Sequence, residues 1–131
     1  MNFLKQGLAI LIVAVALFMT ACTQEDNGDC VPPAVEQNII GTWAVTAGIA
    51  TVEFQSNGTL VDPSDDLIGA IINNDTLSVK TYSISNDTLY TSAASPTSSN
   101  VINGTYAITK NECDKITVST TLGISFDFTR Q

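Results

Sequence analysis

Ile124-Ser125-Phe126-Asp127-Phe128-Thr129-Arg130 alternates apolar and polar side chains without a break up to its terminal arginine. A strand has a side-chain period of two, so Phe126, Phe128 and Arg130 share one face and Ser125, Asp127 and Thr129 the other. Working back along the chain, Ile116 and Val118 repeat the pattern, and Ile102-Asn103-Gly104-Thr105-Tyr106-Ala107-Ile108 puts Ile102, Tyr106 and Ile108 on one face. Leu77–Ile84 and Thr88–Thr91 flank a short turn at Ser85-Asn86-Asp87. Thr51-Val52-Glu53-Phe54-Gln55 runs into Asn57-Gly58, a strong hairpin signal, and returns as Thr59-Leu60-Val61. Thr42-Trp43-Ala44-Val45-Thr46-Ala47 opens the series.

These segments predict eight strands, at 41–47, 50–55, 59–62, 77–84, 88–92, 101–109, 115–121 and 124–130. The fold class is therefore all-β. Eight sequential antiparallel strands are the number that closes a small up-and-down barrel and removes its edges. A two-sheet β-sandwich satisfies the same alternation and stays open as the alternative. One stretch breaks the rhythm. Asp62-Pro63-Ser64-Asp65 reads as a helix start, and Leu67/Ile71 and Ile68/Ile72 follow at i, i+4 spacing. The expectation is a short helical segment within 63–73, plugging one barrel end or offering a patch to a partner. Against it, Gly69 and the isoleucines favour an extended chain, with Asn74-Asp75 turning a hairpin.

Of the 131 residues, 13 are acidic, 5 are basic and none is His, giving a net charge of −8. That balance disfavours nucleic-acid phosphates and anionic lipid surfaces. Without His there is no Ser-His-Asp or Cys-His catalysis and no imidazole metal site. No phosphate-binding glycine loop, Gly-x-Ser-x-Gly elbow or Cys-x-x-Cys pair occurs. Asp65-Asp66 suits a helix N-terminus better than acid/base chemistry, and the cluster Glu25, Asp26, Asp29 lies where nothing would hold a catalytic geometry. The expectation is a non-enzymatic protein with no cofactor and no metal.

At the other end, Lys5 precedes an unbroken apolar run, Gly7–Met19, too short to span a bilayer comfortably but suited to a secretory leader. The run ends in Met19-Thr20-Ala21-Cys22, which resembles the lipobox of bacterial lipoproteins. The resemblance implies a signal peptide at 1–21, lipidation of Cys22 as the mature N-terminus, and a membrane partner reached through that acyl anchor. Thr23 after the cysteine, in place of the retention-type Asp, implies the outer membrane. Gln24-Glu25-Asp26-Asn27-Gly28-Asp29 is similar to short acidic signals for surface display, or serves only as a solvated leash within a tether spanning 22–37. With Cys22 acylated, Cys30 and Cys113 remain as one even pair, expected to form a disulfide in an oxidising compartment.

A second resemblance covers about 38–131, the expected barrel domain. Ile39-Ile40-Gly41-Thr42-Trp43-Ala44-Val45 resembles the Gly-x-Trp opening strand of lipocalins and related calycins, and Val52–Leu60 resembles the second hairpin of bacterial lipocalin-like lipoproteins. The family implies that Arg130 of the last strand packs on Trp43 and closes that barrel end; a solvated terminal charge is the plain alternative. It also implies an outer-membrane protein, facing the periplasm or the surface, that binds a small apolar ligand or lipid. The short strands and the inward set Trp43, Phe54, Tyr106, Phe126 and Phe128 favour instead a filled barrel that meets a protein or glycan partner. Asn74-Asp75-Thr76-Leu77 and Asn86-Asp87-Thr88-Leu89 recur at hairpin spacing. Their Asp-Thr-Leu also resembles a bacterial O-glycosylation acceptor, which would modify Thr76 and Thr88. Tyr82 and Tyr90 suit ligand contacts or strand-facing core and rim positions.

Overall fold

The alternating segments form strands in the computed structural model, which describes residues 30–45, 50–69 and 71–131. In chain order the elements are α1 (Val35–Asn38), β1 (Gly41–Val45), β2 (Ala50–Phe54), β3 (Leu60–Val61), β4 (Ile71–Ile72), β5 (Asp75–Thr76), β6 (Val79–Ser85), β7 (Thr88–Ala94), β8 (Val101–Asn111), β9 (Lys115–Thr120) and β10 (Ser125–Arg130). The expected leader, Cys22, the acidic stretch to Asp29 and the last two residues of the expected first strand lie outside the described residues.

Eight strands join in the order β3-β2-β1-β10-β9-β8-β7-β6, each antiparallel to its neighbour. First and last strands are thus partners, with Trp43 opposite Arg130 and Val45 opposite Phe128. The remaining seam, between β3 and β6, is bridged at Thr59 and Thr81, and the Tyr82 amide donates to the Gly58 carbonyl at 2.9 Å. The sheet therefore nearly closes into a barrel, and the sandwich alternative is not formed.

Turn chemistry sets the register. Asn86 and Asp87 both hold left-handed backbone, with φ of 50° and 54°, the geometry that matches a two-residue turn to twisted strands. Asn73 and Asn74 do the same at 49° and 66°, joining β4 to β5 in a separate two-stranded hairpin.

That hairpin replaces the helix expected within 63–73. Asp62 does cap, but its carboxylate accepts the amides of Asp66 (3.1 Å), Leu67 (3.2 Å) and Ile68 (3.0 Å) at once. This closes a tight loop, and Asp65 at φ 58° breaks the right-handed path that a helix would need. Among the described residues the short helix lies elsewhere, at Val35–Asn38, where Val35 and Asn38 are both buried. The β6 strand also begins at Val79 rather than 77, because Leu77 turns fully into the core.

The register orients the barrel. Gly41 pairs with Phe54 and Phe54 with Leu60, so β3 starts beside the α1 end and leads away from it. The segment between β3 and β6 consequently covers the opposite end, inserting Leu67, Ile68 and Leu77 into the core. Inside, Tyr82, Phe54, Phe128, Phe126 and Tyr106 form a continuous edge-to-face string with centroids 5.0, 5.5, 5.6 and 5.7 Å apart. These rings and the buried aliphatic side chains make one continuous core cluster inside the barrel.

Candidate functional site

At the α1 end, backbone carbonyls left over by a four-residue helix and the chain's crossing to β1 need donors. Arg130 supplies them. Its Nη2 donates to the Asn38 carbonyl (2.6 Å) and Oδ1 (2.8 Å), Nη1 to the Ile40 carbonyl (3.4 Å) and Nε to the Cys113 carbonyl (3.1 Å). The guanidinium carbon lies 4.3 Å from the centroid of the fully buried Trp43 ring, whose Nε1 donates to the Ile39 carbonyl at 2.6 Å. Asn38 extends the network to Asn111 and the Glu112 carbonyl, both at 2.7 Å. Every guanidinium nitrogen is committed, and the indole is out of solvent. Trp43 and Arg130 thus form a closure of the barrel end, with no ring face left for a ligand.

Cys30 and Cys113 are disulfide-bonded beside this network, with Cα atoms 6.3 Å apart across 83 residues of sequence. Closing a loop of that length lowers the entropy of the unfolded chain by an amount worth roughly 4–5 kcal/mol before any native strain is subtracted. The bond fixes the start of the described chain to the β8–β9 turn.

At the seam between β3 and β6 stands Lys80, a charge that sequence reading did not single out. Lys80, nearly buried, donates to the Asp62 carbonyl and to the Asp65 carboxylate, and lies 3.4 Å from the buried Asp62 carboxylate. These partners are 18 and 15 residues away, a spacing that no local motif marks. Beside them opens a concavity of about 510 Å3, whose lining includes Leu60, Val61, Pro63, Leu77 and Lys80. Nearby, Asp75 gathers Ser95, Ser98 and Asn100 and so ties the small hairpin to the β7–β8 loop. Those hydrogen bonds, Ser98 first, hold the Asp75 carboxyl below its usual 3.8.

The tyrosines divide. Tyr82 points inward, donates to the Gln55 carbonyl at 2.8 Å, and burial pushes its hydroxyl up from 10.0. Tyr106 donates to the Leu67 carbonyl at 2.7 Å and is pushed up in the same way. Tyr90 points out, 44% exposed, in a second concavity of about 320 Å3 on the face of β6, β7 and β8. Thr76 is exposed in the small hairpin, while Thr88 is half-buried and donates to the Asn86 carbonyl at 3.2 Å. Asp65 and Asp66, adjacent and exposed, are split between the Lys80 pair and the Asp62 loop. Among the described residues, no group of three or more Cys, Asp or Glu side chains assembles into a metal-binding cluster, and no helix is long and apolar enough to cross a membrane.

No family model, no curated protein and no solved structure matches this chain.

Proposed function

We propose that this chain is a non-enzymatic outer-membrane lipoprotein whose lipocalin-like barrel is a tethered interaction module, meeting a protein or glycan through its outer surface. The observation that carries the reading is the packed interior: five rings in edge-to-face sequence and a plug of Leu67, Ile68 and Leu77 occupy the space in which a carrier would hold its cargo. The Trp43–Arg130 stack is the contact that the calycin resemblance implies, and it supports the lipocalin-like part of the reading. The lipobox-like Met19-Thr20-Ala21-Cys22 supports the anchor. From an acylated Cys22 to the disulfide at Cys30 an extended chain reaches at most about 28 Å, which would keep the α1 end within that distance of the anchor.

Metabolic labelling with an alkyne-bearing palmitate in an acylation-competent bacterium tests the anchor. The expected result is label on the wild-type chain, none on Cys22→Ser, and release of that variant from the membrane fraction. Equal labelling of both would remove the tether from the reading.

The seam concavity favours a second reading, a small apolar ligand held near Leu60, Val61 and Leu77. Native mass spectrometry with fatty acids and hydrophobic dyes separates the two: an adduct that Val61→Glu abolishes supports the ligand, and a bare mass supports the interaction module.

A further inference from the structure

The outer face of β6, β7 and β8 carries two cross-strand rows in register. One is Thr81, Ser92 and Asn103; the other is Ser83, Tyr90 and Thr105. From this grid we infer that the face is a binding site for a neutral carbohydrate, an inference that rests on the reading of the barrel wall as the working surface.

Neighbouring strands lie about 4.8 Å apart and alternate residues about 6.8 Å apart, so the grid covers roughly 10 by 7 Å, the footprint of one or two pyranose rings. The face is concave there, with a volume of about 320 Å3, enough for such a ligand. Its composition is selective. At the centre of one row stands Tyr90, a residue 44% exposed, whose ring can offer an apolar face to the C–H side of a sugar. Around it are four hydroxyls and one carboxamide, each able both to donate and to accept, as vicinal sugar hydroxyls require.

Those groups are also uncommitted. Among the described residues, none of the six side chains makes an intramolecular hydrogen bond, whereas Ser95, Ser98, Thr117, Ser119 and Ser125 on other parts of the surface all do. The charge pattern narrows the class further. All six are uncharged at neutral pH on a chain of net charge −8, so the site suits a polyhydroxyl ligand without phosphate, sulfate or carboxylate.

The test uses the full acylated chain, extracted in a detergent without a sugar headgroup, on an array of neutral oligosaccharides (glucans, mannans, galactans) alongside sialylated and sulfated controls. Saturable binding to at least one neutral glycan is expected, with the anionic controls empty. Titration of that glycan should weaken by about tenfold or more in Tyr90→Ala and by several-fold in Asn103→Ala. Both positions are exposed, so the urea midpoint of each variant should stay that of the wild type, separating lost recognition from lost folding. An array without binding to any neutral glycan, or equal affinity in Tyr90→Ala, overturns the site. Palmitate labelling of the same preparations keeps the two readings apart. A labelled chain that binds no sugar sinks this site alone, and an unlabelled chain sinks the tethered module whatever the sugar result.

Discussion

The guanidinium of Arg130 lies 4.3 Å above the ring of Trp43, its cross-strand partner in the pairing of the last strand with the first. One side chain of the last strand thereby satisfies carbonyls of Asn38 and Ile40, just ahead of the first strand, and of Cys113 in the β8–β9 turn.

Arg130→Lys keeps the charge but cannot reproduce a planar fork serving several acceptors, so a loss of about 1–3 kcal/mol is expected. Trp43→Phe strands the Ile39 carbonyl and should cost a similar amount, about 1–3 kcal/mol. A double-mutant cycle of Trp43→Phe with Arg130→Met, read by urea denaturation, isolates the stack. It should return a coupling of roughly 0.5–2 kcal/mol, and strict additivity would deny the stack any energetic role.

The two carboxylates around Lys80 differ in exposure, 0% for the Asp62 side chain against 41% for Asp65. Lys80→Met retains the buried stem and removes the ammonium from a pocket that still holds Asp62. A loss of about 3 kcal/mol is expected, at the lower end for a broken buried pair because three amides continue to serve that carboxylate. Asp65→Asn should cost under about 1 kcal/mol, as exposed pairs do. Equal shifts of the urea midpoint in the two variants would contradict this division.

Asp75 makes the plug sensitive to acid. Hydrogen bonds from Ser98, then Ser95 and Asn100, favour its ionised form and set its folded pKa below 3.8. A depressed carboxylate contributes stability that is fully present above its unfolded value and is lost as pH falls through the folded one. The clasp to the β7–β8 loop should therefore be intact above a pH of about 4 and weaken below it. Carboxyl-detected NMR should give Asp75 a midpoint below 3.8, moved upward by Ser98→Ala. A wild-type midpoint at or above 3.8 would refute the clasp.

Strand positions were legible because each buries one face: the alternation of Phe126, Phe128 and Arg130, or of Ile102, Tyr106 and Ile108, survives folding unchanged. The 62–69 loop was not, because Asp-Pro-Ser-Asp announces only that amides need an acceptor. Whether one carboxylate serves three of them in a loop or several caps start a helix is decided by the left-handed Asp65 and by Lys80, a partner 15 residues on. Helix α1 carries no side-chain cap and runs four residues, below the length at which periodicity can speak. Of the candidate site, the Arg130–Trp43 contact was expected through the calycin resemblance, while the alternation itself showed only that Arg130 shares a face with Phe126 and Phe128. The Lys80 and Asp75 clusters were not, since each is assembled across chain distances that leave no local pattern. The Tyr90 grid needs register, which strand existence alone does not supply.

The pairing of β1 with β10 has a consequence for biosynthesis. A chain made from its N-terminus presents Trp43 long before Arg130, so until β10 emerges, β1 and β9 both carry open edges and the indole lacks its guanidinium cover. A nascent chain that stops short of β10 cannot join β1 to β9, so its sheet stays open along that line. Removing β10 from the folded protein would return it to that state, with its barrel unzipped along the line that closed last.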